Sequence, residues 1–134
     1  MRDKRVWALL AEVDWFLPNE SEGRCMTGKA RAEEMLEVFA GRGARGVAIK
    51  MGAEGAVARK GGEVVRVKAL RVDVVDTTGA GDAFNAGFLH AFLAGLPVEA
   101  CLERGVICGS LSTRQAGALE GLPKLEEVLQ YQRT

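Results

Sequence analysis

The sequence predicts an α/β protein in which helices pack on the faces of a sheet. Patterns typical of helices and patterns typical of short apolar strands alternate along the chain, an order that such folds share. Hydrophobic residues make up 48% of the 134 residues, which is enough for a core, and the length is that of one domain. We therefore predict a single α/β domain over residues 1–134.

The first half of the chain alternates helices with buried strands. After a short charged start, residues 6–11 predict the end of a helix, and the apolar run at residues 13–17 predicts a strand that Pro18 ends. Residues 28–41 carry apolar side chains at helical spacing and predict an exposed amphipathic helix. Residues 46–51 predict a second buried strand.

A β-hairpin is the clearest element in the middle of the chain. Residues 56–60 and residues 63–67 alternate and flank Gly61-Gly62, and two such runs around a Gly-Gly pair favour a hairpin. Residues 71–75 are rich in β-branched side chains and predict a last strand.

Three helices are predicted after this strand. The segment from residue 83 to residue 96 carries apolar side chains almost all round, so we expect it to be largely buried. Residues 98–114 form the second predicted helix, and a short closing helix starts at Pro123.

Charge and hydropathy exclude several classes of partner. Lys plus Arg and Asp plus Glu are 18 each, so the net charge is zero and no basic excess favours nucleic acid or an anionic membrane. No apolar run reaches membrane-spanning length, and the N-terminus lacks a signal-peptide pattern. We expect a cytoplasmic protein with no membrane or nucleic-acid partner.

The turn around Gly79 and Gly81 is the chemically most informative stretch. It joins a predicted strand end to a predicted helix start, where several backbone N–H groups have no helical partner and the helix dipole adds partial positive charge. A phosphate group is the natural ligand of such a place. The two glycines lack the Cβ atoms that would block its approach.

Asp82 follows this turn and admits two interpretations. A carboxylate beside an anion site repels a phosphate that is merely bound, but it suits a base that takes a proton from a hydroxyl attacking that phosphate. Asp is also a favoured helix cap. The residues alone leave catalysis and capping both open.

The run from Asp76 to Phe84, Asp-Thr-Thr-Gly-Ala-Gly-Asp-Ala-Phe, resembles the C-terminal signature of the ribokinase-like (PfkB) carbohydrate kinases. The resemblance implies that Asp82 is the catalytic base. It also implies that the backbone amides of Gly79, Ala80, Gly81 and Asp82 form an anion hole.

Two metal sites follow from the same resemblance. Asp76 and Thr78 match positions that help to bind a monovalent cation such as K⁺, and Gly117 is the best-placed residue of a later loop for a carbonyl contact with it. The run Leu-Pro-Asn-Glu-Ser-Glu resembles the family's second signature, so Asn19 and Glu22 would organise Mg²⁺, through water. Without the resemblance, this run is a solvated loop that caps the next helix.

The resemblance also implies four nucleotide-binding residues. Lys50, Gly52 and Gly55 fall where the family has a strand followed by a glycine turn near the nucleotide phosphates. Lys50 departs from the Thr or Ser that is more frequent there, and it is interpreted either as a charge for the phosphates or as a solvent-facing lysine. Gly105 lies in the helix that packs beside the adenine in this family.

The implied fold is ribokinase-like: a Rossmann-like three-layer α/β/α sheet with a C-terminal β-hairpin. The resemblance covers essentially the whole chain but only the C-terminal half of a typical member. The N-terminal half of the fold, with most sugar contacts, is missing, so the sequence does not name the sugar.

Two functions are expected from this comparison. The first is ATP-dependent phosphoryl transfer to a sugar hydroxyl, with ATP and Mg²⁺ and with K⁺ as a further cation. The alternative is a truncated, non-catalytic nucleotide-binding remnant that self-associates as a homo-oligomer or needs an N-terminal partner. A dinucleotide-dependent dehydrogenase is disfavoured, because the turn lacks the third glycine of the Rossmann fingerprint.

Overall fold

The computed structural model describes residues 4–117 and 123–132 of the chain. The chain forms two compact units. The first, called the sheet unit, comprises Met1–Met51 and Ala56–Arg66. The second, called the helical unit, comprises Gly52–Gly55 and Val67–Thr134.

The sheet unit holds three helices and the sheet. Its helices are α1 (Lys4–Leu10), α2 (Glu20–Thr27) and α3 (Ala32–Gly41). Its strands are β1 (Gly46–Lys50), β2 (Ala56–Lys60) and β3 (Glu63–Val67). The last residue of β3, Val67, belongs to the helical unit. The strands are hydrogen-bonded in the order β1-β2-β3. β1 and β2 are antiparallel, in a register that pairs Gly46 with Lys60 and Lys50 with Ala56. β2, the Gly61-Gly62 turn and β3 confirm the predicted hairpin.

The predicted first strand does not form as a strand. It makes a single isolated parallel bridge with β1, of Phe16 with Val47, and a second bridge joins Asn19, just after the segment, to Lys50. The Phe16 N–H donates to the carbonyl oxygen of Gly46 at 2.9 Å. The pairing ends there because Asn19 is already the N-cap of α2.

The amphipathic helix of this unit starts later than predicted and is less exposed. Gly28 adopts the left-handed conformation (φ 73°) and ends α2, so α3 begins only at Ala32. The apolar face of α3 is fully buried and forms a core with the aromatic and branched side chains of α1, β1 and β2. This core includes Trp7, Leu10, Met35, Leu36, Phe39, Val47, Ile49 and Val57.

The helical unit consists mainly of three helices, α4 (Ala80–Leu93), α5 (Val98–Ser112) and α6 (Leu125–Tyr131). These confirm the three predicted helices, although α4 begins before residue 83. Arg104 of α5 is buried, and its Nε donates to the Oε1 of Gln132 at 2.8 Å. The Nε2 of Gln132 donates to the Ala100 carbonyl at 2.8 Å. These hydrogen bonds fasten the end of α6 to α5.

The prediction that α4 is largely buried is wrong for one of its faces. Phe84 and Phe88 are buried, but Leu89 is 41% exposed and Leu93 is 83% exposed. Leu89 and Leu93 are four residues apart, so they lie on the same side of the helix. Within the helical unit, α5 covers the opposite side.

The predicted strand at residues 71–75 is also absent. In place of a ladder, the N–H groups of Val75 and Asp76 both donate to the carbonyl oxygen of Thr113, at 2.7 and 3.1 Å. A composition typical of strands is not enough when no extended partner lies beside the segment. Of the five predicted strands three form, and the chain is an α/β fold with a small three-stranded sheet, smaller than the layered sheet predicted.

Candidate active site

The turn before α4 depends on Gly79. This residue is the N-cap of α4 and adopts a left-handed conformation with φ 79°, which glycine reaches without the penalty of a Cβ atom. Its carbonyl oxygen accepts the N–H of Ala83 at 2.9 Å, which closes the first turn of the helix.

Most of the backbone amides of this turn have no internal partner. The N–H of Ala80 donates to the carbonyl oxygen of Thr77 at 3.1 Å. The N–H groups of Gly79, Gly81 and Asp82 find no hydrogen-bond partner among residues 4–117 and 123–132. Three of the four amides assigned to the anion hole are therefore available to a ligand, at the positive end of the α4 dipole.

Asp82 is the third residue of α4, and its side chain is exposed. Gly79 occupies the N-cap, and no side chain makes a cap hydrogen bond to this helix, so the capping interpretation of Asp82 finds no support in the structure. Asp82 belongs to the first turn of α4, the turn that carries the available amides, and the helix dipole favours a negative charge there.

The carboxylate of Asp76 joins the other residues of this loop. Its Oδ1 accepts the N–H of Thr78 at 2.9 Å and the hydroxyl of the same residue at 2.7 Å. Its Oδ2 accepts the N–H of Gly117 at 3.0 Å. The Gly117 N–H, followed by the hydroxyl and the N–H of Thr78, lowers the pKa of Asp76 from 3.8 to about 2.

The structure thus brings together the three residues predicted to bind a monovalent cation. They meet through hydrogen bonds to Asp76, and Gly117 takes part through its N–H. The carbonyl contact of Gly117 with a cation stays a prediction. A loop that brings together a carboxylate and a hydroxyl oxygen offers the type of ligand that a hard cation prefers.

Asn19 and Glu22, in the sheet unit, form a capping box at the start of α2. The Oδ1 of Asn19 accepts the N–H of Glu22 at 2.7 Å, and the Oε1 of Glu22 accepts the N–H of Asn19 at 2.9 Å. The run interpreted as a solvated loop is therefore the cap and the first turn of α2, a helix that the sequence analysis did not predict. Glu22 keeps its second carboxylate oxygen for an outer ligand.

That second oxygen fits a contact with Mg²⁺ through water, because Mg²⁺ retains several of its waters and needs few protein ligands. In the part of the chain that the structure describes, no three His, Cys, Asp or Glu side chains gather as a metal site. A site made of Glu22, water and substrate phosphates does not require such a group.

The four residues predicted to bind nucleotide are distributed over both units, and two of the glycines have packing reasons of their own. Gly52 (φ 58°) has open space where a Cβ would be. Gly55 (φ 93°) lies against the backbone of Val67, and an added Cβ at Gly105 would lie 3.0 Å from the Phe84 ring. These contacts explain Gly55 and Gly105 without a nucleotide.

Lys50 is half-buried at the end of β1, where its N–H donates to the carbonyl oxygen of Pro18 at 3.0 Å. This hydrogen bond fixes the backbone of Lys50. The nucleotide roles of all four residues remain predictions.

The resemblance placed Thr113 in the cation loop without giving it a role, and sequence reasoning missed Gly109 as a residue of this site. The Thr113 carbonyl holds the backbone of Val75 and Asp76, and Gly109 faces the carbonyl oxygen of Ala80. Every residue has a backbone carbonyl, so the sequence does not show which carbonyl a site uses. The spacing of Gly109 four residues after Gly105 was the one available signal, since it places both glycines on one face of α5.

Comparison with known proteins identifies the family. Residues 3–125 match the pfkB family of carbohydrate kinases. The chain is 40% identical over 126 residues to 2-dehydro-3-deoxygluconokinase of Bacillus subtilis, and this alignment covers 91% of the chain and 39% of the relative.

Solved structures agree with this match. Ribokinase from Arabidopsis thaliana, complexed with ribose and ATP, superposes with a TM-score of 0.85 and 31% identity over 93% of this chain and 42% of its own. An E. coli chain described as ribokinase II, in complex with ATP and Mg²⁺, superposes with a TM-score of 0.85 and 26% identity over 96% of this chain and 42% of its own.

The fold is ribokinase-like, and the relatives are sugar kinases. The chain belongs to the pfkB family of carbohydrate kinases. It spans about two fifths of the length of the curated relatives it matches, 39% in the case of the B. subtilis enzyme. Among the described residues, no helix is long and apolar enough to cross a membrane.

Proposed function

We propose that the chain carries the catalytic centre for ATP-dependent phosphoryl transfer to a sugar hydroxyl. The observation that supports this most directly is at the start of α4. There the exposed carboxylate of Asp82 stands in the same helical turn as three backbone N–H groups that have no partner among the described residues. This combination suits a base next to a phosphate-binding site.

In this proposal Asp82 accepts the proton of the sugar hydroxyl as its oxygen attacks the terminal phosphorus of ATP. The bond from that phosphorus to the bridging oxygen breaks, and ADP leaves. The N–H groups of Gly79, Gly81 and Asp82 donate hydrogen bonds to the oxygens of the transferred phosphoryl group. Positioning and electrostatic stabilisation supply most of the acceleration in such a reaction.

Two cations complete the proposal. Mg²⁺, when bound, neutralises charge on the polyphosphate, and Glu22 would hold it through water with its free carboxylate oxygen. A monovalent cation such as K⁺ would bind in the loop that Asp76, Thr78 and Gly117 form. Asp76 contributes by holding this loop in one conformation next to the start of α4.

The experiment that tests this function is a kinase assay with Asp82→Asn. The chain is incubated with ATP, Mg²⁺, K⁺ and the sugars that its relatives act on or bind, and formation of sugar phosphate is measured. Removing a general base lowers kcat by roughly 10²- to 10⁴-fold. We expect that loss with little change in ATP affinity, because the asparagine keeps the shape of the side chain.

The matched control is Asp73→Asn, which removes another exposed carboxylate of the same unit. This variant should keep the turnover of the unchanged chain. Equal turnover of Asp82→Asn and the unchanged chain would remove Asp82 from the mechanism.

The exposed leucines of α4, Leu89 and Leu93, favour a second candidate function. In this alternative the chain is a non-catalytic nucleotide-binding remnant that self-associates or needs a partner. Calorimetry with ATP and the product assay together separate the two functions. Binding of ATP with no phosphorylated product from any sugar supports the remnant.

A further inference from the structure

Helices α4 and α5 approach each other at backbone distance through glycines. An added Cβ at Gly87 would lie 2.6 Å from the Sγ of Cys108 and 2.8 Å from the carbonyl oxygen of Arg104. Apart from proline, glycine is the poorest helix former, so its use inside a helix indicates a packing requirement. At Gly87 that requirement is the close approach of α5.

Gly109 is the glycine of α5 that faces the first turn of α4. An added Cβ at this position would lie 3.3 Å from the carbonyl oxygen of Ala80 and 3.6 Å from the Cβ of Phe84. The second distance is an ordinary van der Waals contact, but the first is tighter than nearly all real Cβ contacts. Any side chain at 109 would therefore displace the Ala80 carbonyl by a few tenths of an ångström.

The carbonyl of Ala80 and the N–H of Gly81 belong to one peptide unit. Because this unit is planar, a displacement of its oxygen tilts the N–H on the other side. The Gly81 N–H has no hydrogen-bond partner among the described residues, so within its peptide unit only the Ala80 carbonyl, in the first turn of α4, sets its direction. The strength of any hydrogen bond that it donates to a ligand depends on that direction.

We propose that Gly109 is a positioning residue for the anion hole. Its lack of a side chain sets the orientation of the Ala80–Gly81 peptide and thereby the hydrogen bond from Gly81 to the transferred phosphoryl group. This role rests on the proposed function of the turn before α4. It acts on the phosphoryl group as charge develops there, so it affects kcat more than the affinity for ATP.

The test compares Gly109→Ala with Gly41→Ala. Both changes add a methyl group to a helical glycine, but residue 41 has open space around it. Backbone amide NMR spectra are recorded during a titration with inorganic phosphate. In Gly109→Ala we expect the Gly81 amide resonance to move and its response to phosphate to fall at least twofold, whereas Gly41→Ala matches the unchanged chain.

Kinetics give a second readout. Removing one oxyanion-hole donor lowers kcat by about 10²- to 10³-fold, and a tilted donor should cost less, on the order of tenfold. We expect this loss in Gly109→Ala with a KM for ATP within about twofold of the original. The contacts that bind ATP equally in the ground state and in the transition state are unaffected, so KM changes little. A merely structural role would change the melting temperature without this split between kcat and KM.

The outcomes separate this inference from the proposed function. If the unchanged chain forms no sugar phosphate, the proposed function fails, and the phosphate titration alone decides the role of Gly109. If Gly109→Ala is folded and keeps the Gly81 resonance, its phosphate response and kcat, the inference is overturned while the proposed function stands.

A measurement on the unchanged chain covers the case in which Gly109→Ala does not fold. Phosphate bound at the turn acts on the Ala80 carbonyl, so the Hα resonances of Gly109 should respond to phosphate more than those of Gly41. An equal response at both glycines, or no response at Gly81, overturns the inference.

Discussion

The carboxylate of Asp76 accepts hydrogen bonds from Thr78, two residues later, and from Gly117, 41 residues later. A carboxylate has two oxygens that only accept, which suits it to gather donors from both sides. Asparagine has the same shape but only one such oxygen. The residue therefore offers a sharp test of how the loop is held.

In Asp76→Asn, the side-chain oxygen can keep the hydrogen bonds from Thr78. The side-chain NH₂ group then faces the N–H of Gly117, and because both groups are donors they cannot form a hydrogen bond with each other. We expect several-fold faster hydrogen exchange at the Gly117 amide, measured by NMR. Asp73→Asn is the control and should leave this exchange rate unchanged. Unchanged exchange in Asp76→Asn would contradict the bond between Asp76 and Gly117.

The same contacts predict a pH dependence. Since the pKa of Asp76 falls from 3.8 to about 2, the stabilisation from its ionised form is complete above the ordinary pKa and is lost as the pH drops from 3.8 through about 2. The amide resonances of Thr78 and Gly117 should titrate with a midpoint near 2. A midpoint near 3.8, or a titration that persists in Asp76→Asn, would contradict this assignment.

At the scale of elements, the contact of α4 with α5 limits what position 87 tolerates. In Gly87→Ala, the new Cβ meets the Arg104 carbonyl, a backbone atom that cannot rotate away. Overpacking of this kind costs about 1–3 kcal/mol, against a gain of about 1 kcal/mol in helix propensity. We expect a net loss of stability in urea unfolding, up to about 2 kcal/mol.

Two further variants sharpen this measurement. Gly41→Ala makes the same chemical change at an open helical site and should be neutral or slightly stabilising. Adding Cys108→Ala to Gly87→Ala removes the Sγ contact and should recover part of the loss. A Gly87→Ala chain as stable as the original would show that the helices separate easily.

The elements differ in how well the sequence predicts them. The hairpin and the predicted helices are confirmed because their patterns are local: helical spacing and a Gly-Gly turn. Helix α2 is not predicted, because its first residues are interpreted as a solvated loop. The segments at residues 13–17 and 71–75 have strand composition but form no strand, because a strand also needs a partner in space. That partner is a tertiary property, which composition does not contain.

The residues of the candidate site also fall into two groups, those that local patterns predict and those that depend on tertiary contacts. Gly79 and Asp82 are visible in the sequence because a turn and the helix after it are local. The contact of Asp76 with Gly117 agrees with the expectation that these residues belong to one site, which came from family resemblance. The parts played by the Thr113 carbonyl and by Gly109 depend on where α5 ends, so only the structure reveals them.

At the scale of the whole molecule, the chain exposes apolar side chains that a globular protein usually covers. Val74, Val75 and Leu93 are 61%, 64% and 83% exposed. Such side chains favour association, and the homo-oligomer or partner expected from the sequence stays a prediction. Burying one leucine contributes about 1.5–3 kcal/mol, enough to change a dissociation constant tenfold or more.

Sedimentation velocity at several concentrations tests this expectation. The unchanged chain should associate as concentration rises, and Leu93→Asp should shift it towards the monomer. Leu9→Asp places the same charge on an exposed leucine of α1 and should have a smaller effect. A chain that stays monomeric throughout would argue against association through α4.

The hydrogen bond between Asp76 and Gly117 also orders events during folding. Its partners are 41 residues apart, so closing that loop is entropically expensive until α4 and α5 have docked and shortened the distance. We therefore expect the turn before α4 to be completed late, after the helices on which it depends. The nascent chain can form the hydrogen bond between Asp76 and Gly117 only once the segment through residue 117 has been synthesised.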